Sequence, residues 1–433
     1  MPQFQWITWL QARQALAARL ADPNNVFWTD AENKTYLLEA LRTWNALTEQ
    51  WNSTFAFTAT SAQVWYNLSL LGGSPRLRTL QDSDLYTIME YHLLEPATGA
   101  TWTGTSQFSI ADLQGALQRR RDEVIQASGC NLGQLAPLPT SYGVRRTFFP
   151  DSTLEPRRTR FLPDSGPSGP VTLSREDTIA FDAFEPSYLQ TRQLPSAWSV
   201  ITGPPLAMDV DTGPNVTGNY DVISLQAGLN FQPPASTLLG VPDDWAWVAK
   251  WGALADLLSR DSEATDRARA DYCLKRYISG LEIMKASNWL VSATINGLVV
   301  DTPSVREMDG YAPEWQNNAV AWPSLVQAGM DFIAPCPVAL SSGVSMIIVG
   351  NAPIPILDGD FVQVSRDQFD VILSYAQVLA SFKMGGSEFA ATKDLEQDFF
   401  RAAAATNQRL SKMGIFADLV HSDGKRQDKA QPR

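Results

Sequence analysis

The sequence predicts an α+β protein: helical bundle lobes with inserted antiparallel β strands, and an internally duplicated strand–helix unit. Three observations predict it. Apolar residues recur at helical spacing in Tyr36, Leu37, Ala40, Leu41, Trp44, Leu47 and Trp51. They alternate as in strands in Leu206, Met208 and Val210, and again in Tyr220 and Val222. A gap-free offset then carries both kinds of pattern onto a later stretch of the chain.

The elements follow in order. Residues 6–20 form an amphipathic helix with Trp6, Trp9, Leu10, Leu16 and Leu20 on one face. After Asp22-Pro23, Thr29-Asp30-Ala31-Glu32 has the form of a capping box and opens the helix that carries Trp44. Phe55 and Phe57, then Val64, Tyr66 and Leu68, alternate as two short strands of a hairpin. A helix over 84–94 stops before Pro96, and Ser109 caps another that runs to about 127. These elements make an N-terminal lobe, 1–130.

Residues 131–172 read as a Pro/Arg-rich connector, with Arg145, Arg146, Arg157, Arg158 and Arg160 among seven prolines from Pro137 to Pro170. Two readings of the arginines are open, a solvated loop surface or a site for phosphate or an acidic partner. Residues 173–285 read as strands followed by a helix pair. Pro242 opens the first helix, whose apolar face is Trp245, Val248, Trp251, Ala255 and Leu258. The second presents Leu274, Tyr277, Ile278, Leu281 and Met284.

Residues 298–412 repeat that order. Trp198 and Trp322 lie 124 positions apart, and the same offset carries Leu206, Met208, Val210 onto Met330, Phe332, Ala334. It carries the helix face onto Phe369, Ile372, Tyr375, Leu379 and Phe382. Trp44, Trp245, Trp251, Phe369 and Tyr375 are therefore the expected helix-packing core. The uncharged stretch 332–357, with prolines at both ends and a turn at Ser341-Ser342-Gly343, reads as a β-hairpin rather than a membrane span. A polar tail, 413–433, closes the chain. It is either disordered or ordered by a partner.

Composition narrows the function. The formal net charge is −12, which argues against coating DNA or RNA. Charged residues are only 18%, and there are 14 Trp, a residue favoured at interfaces. Cys130, Cys273 and Cys336 are far apart and odd in number, as expected of reduced thiols. His92 and His421 stand alone, without ligand spacing. No P-loop, G-x-S-x-G, H-E-x-x-H or dinucleotide fingerprint occurs. Asp209-Val210-Asp211 and Asp358-Gly359-Asp360 pair carboxylates without the rest of a calcium loop. We expect no catalytic residues, metal or cofactor.

Two stretches resemble the head-to-tail connector (neck adaptor) proteins of tailed bacteriophages. One runs from Leu20-Ala21-Asp22-Pro23 through Trp28-Thr29-Asp30-Ala31-Glu32 to Tyr36-Leu37-Leu38-Glu39-Ala40-Leu41-Arg42. The other, over 173–284, holds Pro195-Ser196-Ala197-Trp198, Val241-Pro242-Asp243-Asp244, Trp251-Gly252-Ala253-Leu254-Ala255-Asp256 and Asp266-Arg267-Ala268-Arg269-Ala270. The resemblance implies a structural virion protein of the neck, assembled in the host cytoplasm. It implies a homo-oligomeric ring, usually of twelve copies, that joins the portal protein to tail proteins and lines part of the DNA exit channel. It also places Lys425, Arg426 and Lys429 of the tail against the portal. Two competitors remain. One is a phage collar or receptor-binding module gripping host-surface carbohydrate through exposed aromatics. The other is a hydrolase with dispersed carboxylates.

Overall fold

The structure, a computed structural model, describes residues 4–60, 63–93, 108–165, 169–184, 187, 190–233, 235–260, 266–287, 289–312, 315–316, 323–336 and 342–407. Its helices are α1 (Trp9–Arg19), α2 (Asp30–Thr48), α3 (Asp82–Leu93), α4 (Ile110–Ser128), the short α5 (Thr178–Phe184), α6 (Ala246–Leu258), α7 (Arg267–Ala286), the short α8 (Val305–Tyr311), α9 (Arg366–Phe382), α10 (Gly386–Ala390) and α11 (Lys393–Thr406). Thr29 and Ser109 each close a capping box, with Glu32 and Asp112, and so fix where α2 and α4 begin. Every residue of α6 except Asp256 is buried, Lys250 included, as expected of a helix that is apolar on nearly every side. Glycine lets α7 approach it closely: a Cβ at Gly280 would lie 2.9 Å from Trp247 and from Val248.

The strands are β1 (Asn52–Ala59), β2 (Tyr66–Asn67), β3 (Leu132–Gln134), β4 (Leu138–Thr140), β5 (Arg146–Phe148), β6 (Thr153–Pro163), β7 (Val171–Arg175), β8 (Ala197–Ile201), β9 (Ala207–Val210), β10 (Gly218–Gln226), β11 (Leu290–Ile295), β12 (Leu298–Val300), β13 (Ser324–Ala328), β14 (Phe332–Cys336) and β15 (Ser342–Val349). They build three sheets. One has the order β1-β15-β11-β12, one is a curled mixed sheet β3-β10-β6-β7-β8-β9-β5 with β4 also on β10, and one is β13-β14-β2. The helices and the inner face of the four-stranded sheet share one core, and the curled sheet encloses a second around Phe161, Trp198 and Tyr220.

The same arrangement occurs twice. α2 and α4 have the same length and lie 80 positions apart at both ends. Each ends on a left-handed residue, Glu49 and Gly129. The strand after each then pairs in the same register: Asn52 with Val349, and Leu132 with Leu225. First partners differ by 80 positions and second partners by 124. Tyr66 with Ile333 and Arg146 with Asp209 obey the same two offsets. α5 and α8 lie 127 positions apart at both ends, as do the parallel pairs Ser174–Ala197 and Asp301–Ser324. The inner unit is thus α4, β3 and β5–α7. It lies within the chain between the two halves of the outer unit, α2–β2 and β11–α11. α6 packs on α4 and α7 as α9 packs on α2 and α11.

Several expectations are corrected. Residues 131–172 are not a connector: β3–β7 are strands of the curled sheet, because the prolines within strands sit where pairing tolerates them, Pro139 on the short β4, Pro156 beside the β6 bulge and Pro163 at the end of β6. The strands at 52–59 and 66–67 do not form a hairpin. β1 pairs with β15 and β2 with β14, so lobe 1–130 shares its sheets and helix packing with 298–412. Stretch 332–357 is no hairpin either, since β14 and β15 lie in different sheets. The repeat reaches beyond 173–285 and 298–412, back to α2 and α4. On α7, Leu274 and Ile278 are exposed and the buried face runs through Cys273, Arg276, Gly280 and Ile283. The tail 413–433 lies outside the described residues. Among those residues, no helix is long and apolar enough to cross a membrane.

Candidate functional site

The site of interest is where the two units face each other. β6 carries a β-bulge: Ile223 of β10 pairs with Arg158 and Ser224 with Pro156, which leaves Arg157 without a register partner on β10. A bulge re-aims side chains, and here Arg157 and Arg158, consecutive in the chain, both line one cleft. The cleft has a volume of about 680 Å³, and its inner wall includes Leu173, Arg175 and Ile223. The outer unit supplies the opposite wall: Val305, Arg306 and Asp309 of α8, and Gln327 and Ala328 of β13.

Ion pairs hold the walls. Arg158 pairs with Asp309 across the cleft and lies 5.4 Å from the Trp315 ring centre. Glu155 holds Arg157 and Arg175 at 3.1 Å each. Ile223 shares a buried cluster with Met308 and Val326, so α8 and β13 close over the bulged face of the inner sheet. Elsewhere Arg146 pairs with Asp209 and Arg160 with Asp221. Arg145 donates to the Val210 carbonyl. The arginines therefore do not form the solvated loop surface expected of a connector: they anchor strands.

The equivalent face of the outer unit is bare among the described residues. β11 has its own bulge, at Val291, because Leu290 pairs with Ile348 and Ser292 with Ile347. Val291, Ser292 and Ile347 thus occupy the places of Arg157, Arg158 and Ile223. Val291 is 54% and Ile347 40% exposed, against 5% for Ile223. No charged residue occurs in β1, β11, β12 or β15.

A second contact between units is fully buried. Lys250 of α6 donates to both oxygens of Glu39 of α2, at 2.5 and 2.6 Å, and its Nζ lies 3.2 Å from His92 Nε2. Burial lowers the Lys250 pKa, and the Glu39 carboxylate opposes that shift. Burial, with Lys250, Arg269 and Lys383 nearby, holds His92 well below its ordinary value. His92 is packed by Tyr36, Trp251 and Phe382. Asp244 accepts from Asn45 Nδ2 at 2.5 Å and from the Ala352 amide at 2.9 Å, and burial pushes its carboxyl up to about 6.

The residues singled out in the sequence divide cleanly. Trp44, Trp245, Trp251, Phe369 and Tyr375 are all buried in the helical core. Lys425, Arg426, Lys429 and His421 lie outside the described residues. Every described Trp is buried except Trp6, which is half-buried. The described tryptophans thus fill this chain's own core rather than the interface expected from composition. Asp209 pairs with Arg146, Asp211 accepts from Ser196, Asp358 pairs with Arg13, and Asp360 accepts from the Ile356 and Leu357 amides. All three cysteines are buried free thiols. Sequence reasoning missed the bulges and the bare face. The pair of S/T-x-x-[DE] boxes at Thr29 and Ser109 signals the repeated helix starts, not the bulges or the face. No family model matches the chain, and no curated protein matches it.

Proposed function

We propose that this chain is a non-catalytic structural subunit of a tailed-phage neck, an adaptor that forms a ring between portal and tail through which DNA passes. The observation that carries this reading is the uncharged face around Val291 and Ile347, exposed on the outer unit while its counterpart in the inner unit is covered. Exposed apolar sheet surface favours contact with another protein. The face belongs to a chain of net charge −12, whose copies repel one another except where charge is missing. A ring needs such heterologous, side-to-side contacts. Burial of the described Trp side chains removes them as carbohydrate-stacking platforms and favours the adaptor over the receptor-binding reading.

Electron cryo-microscopy of the source particle tests the proposal. The expected result is a symmetric ring of this chain beneath the portal. Density only in peripheral spikes, or none in the particle, overturns it.

A further inference from the structure

The two units differ in what lies on the bulged face of their sheets, and that difference names a partner. In the inner unit the face is covered by α8 and β13 of the outer unit, with Met308 and Val326 packed against Ile223. The helix that corresponds to α8 is α5, and the position that corresponds to Arg306 is Ile179, 73% exposed. The face that corresponds to the covered one is Val291, Ser292 and Ile347. Among the described residues, one chain therefore carries a covered face with its covering helix, a bare face with no covering helix, and a second helix of the covering type, on which Ile179 is exposed while Phe181, the counterpart of Met308, is 5% exposed.

We propose that the bare face of the outer unit receives α5 of a second copy of this chain, which takes there the place that α8 takes within the chain, its contact being the exposed Ile179, at the position of the cleft-lining Arg306, rather than the buried Phe181. The chemistry of the two contacts differs in a consistent way. Within the chain, the contact is polar at its rim, where Arg158 pairs with Asp309. Between chains, Ile179 meets Val291 and Ile347, apolar on both sides. No charge in the four-stranded sheet opposes the approach of another acidic chain. The contact is heterologous, because helix and face belong to different units of each chain, so repetition generates a closed ring or an open filament. This inference rests on the neck reading's use of the Val291 and Ile347 face as a contact between copies, and adds the segment that meets it.

Cysteine cross-linking of the full chain tests it. Ile179→Cys is combined with Val291→Cys or with Ile347→Cys, since the native thiols are buried and stay unreactive. The expected result is a ladder of disulfide-linked multimers from the double variants. An equimolar mixture of the single variants should give dimers only. Sedimentation gives the second readout. Val291→Lys should weaken self-association about tenfold or more, and adding Ile179→Glu to the same chain should restore most of it. Association that persists without the cross-link, and is untouched by Val291→Lys, overturns this inference. A chain that stays monomeric and uncross-linked at every concentration also overturns it, while the particle map decides the neck reading separately.

Discussion

The inner and outer units share the lengths of α4 and α2 and of α5 and α8, strand registers and even the position of a β-bulge, yet they put the same framework to different use. In the inner unit the bulge holds Arg157 and Arg158, and the sheet has grown into a curled structure tied by Arg–carboxylate pairs. In the outer unit the same place holds Val291 and Ser292 in a sheet without charge. Backbone geometry is thus set by the shared pattern of capping, alternation and turns. The residues laid on it decide whether a face closes internally or stays open.

The comparison breaks most sharply at the buried pair that joins the units. Lys250 sits on α6, whereas the outer-unit position 124 residues later, on α9, holds Ser374. Lys250→Ala leaves the Glu39 carboxylate buried without its cation and should cost about 3–5 kcal/mol. Lys250→Met combined with Glu39→Leu should recover most of that loss. Chemical denaturation of the single and double variants measures both.

Asp244 is the next test. The outer-unit counterpart is Gln368, which exchanges hydrogen bonds with Gln50. Because burial pushes the Asp244 carboxyl from 3.8 up to about 6, the folded chain holds a proton there that the unfolded chain has lost. Its contribution to stability therefore falls as pH rises from about 4 to 6 and stays low above. Asp244→Asn should remove that slope, a difference on the order of 2 kcal/mol across the window. Thermal unfolding as a function of pH gives the answer, and an unchanged slope would refute the assignment.

Two smaller effects sharpen the comparison. Asp309→Ala removes the partner of Arg158, which is 7% exposed, and should cost about 1–2 kcal/mol. It should also speed amide exchange in α8 more than in α5. At the matched helix ends, Gly129 takes a left-handed conformation that Glu49 adopts with a side chain. A Cβ at Gly129 would meet nothing closer than 4.0 Å, so Gly129→Ala should cost only the backbone term, about 1 kcal/mol.

Much of this framework was legible in the sequence. The capping boxes at Thr29 and Ser109, the helix face through Trp245 and Trp251, and the strand through Met208 are local signals, and each is where its pattern places it. The offset of 124 was visible because β10, α6, β15 and α9 kept their apolar periodicity. Which strands pair was not legible. β1 meets β15 nearly three hundred residues later, and nothing in either sequence names the other. The arginines of 145–160 read as loop because their carboxylate partners, such as Asp209, Asp221 and Asp309, are distant in the chain. The bare face carries no motif. It is recognisable only beside its covered twin.

Amide hydrogen exchange on the full chain, dilute and self-associated, tests that pairing of faces most directly. The account predicts slowing on association in α5 and along β11 and β12, and little change on the outer side of α7, where Leu274 and Ile278 are also exposed. Slowing confined to α7, with α5 and the β11–β12 hairpin exchanging as before, would contradict it.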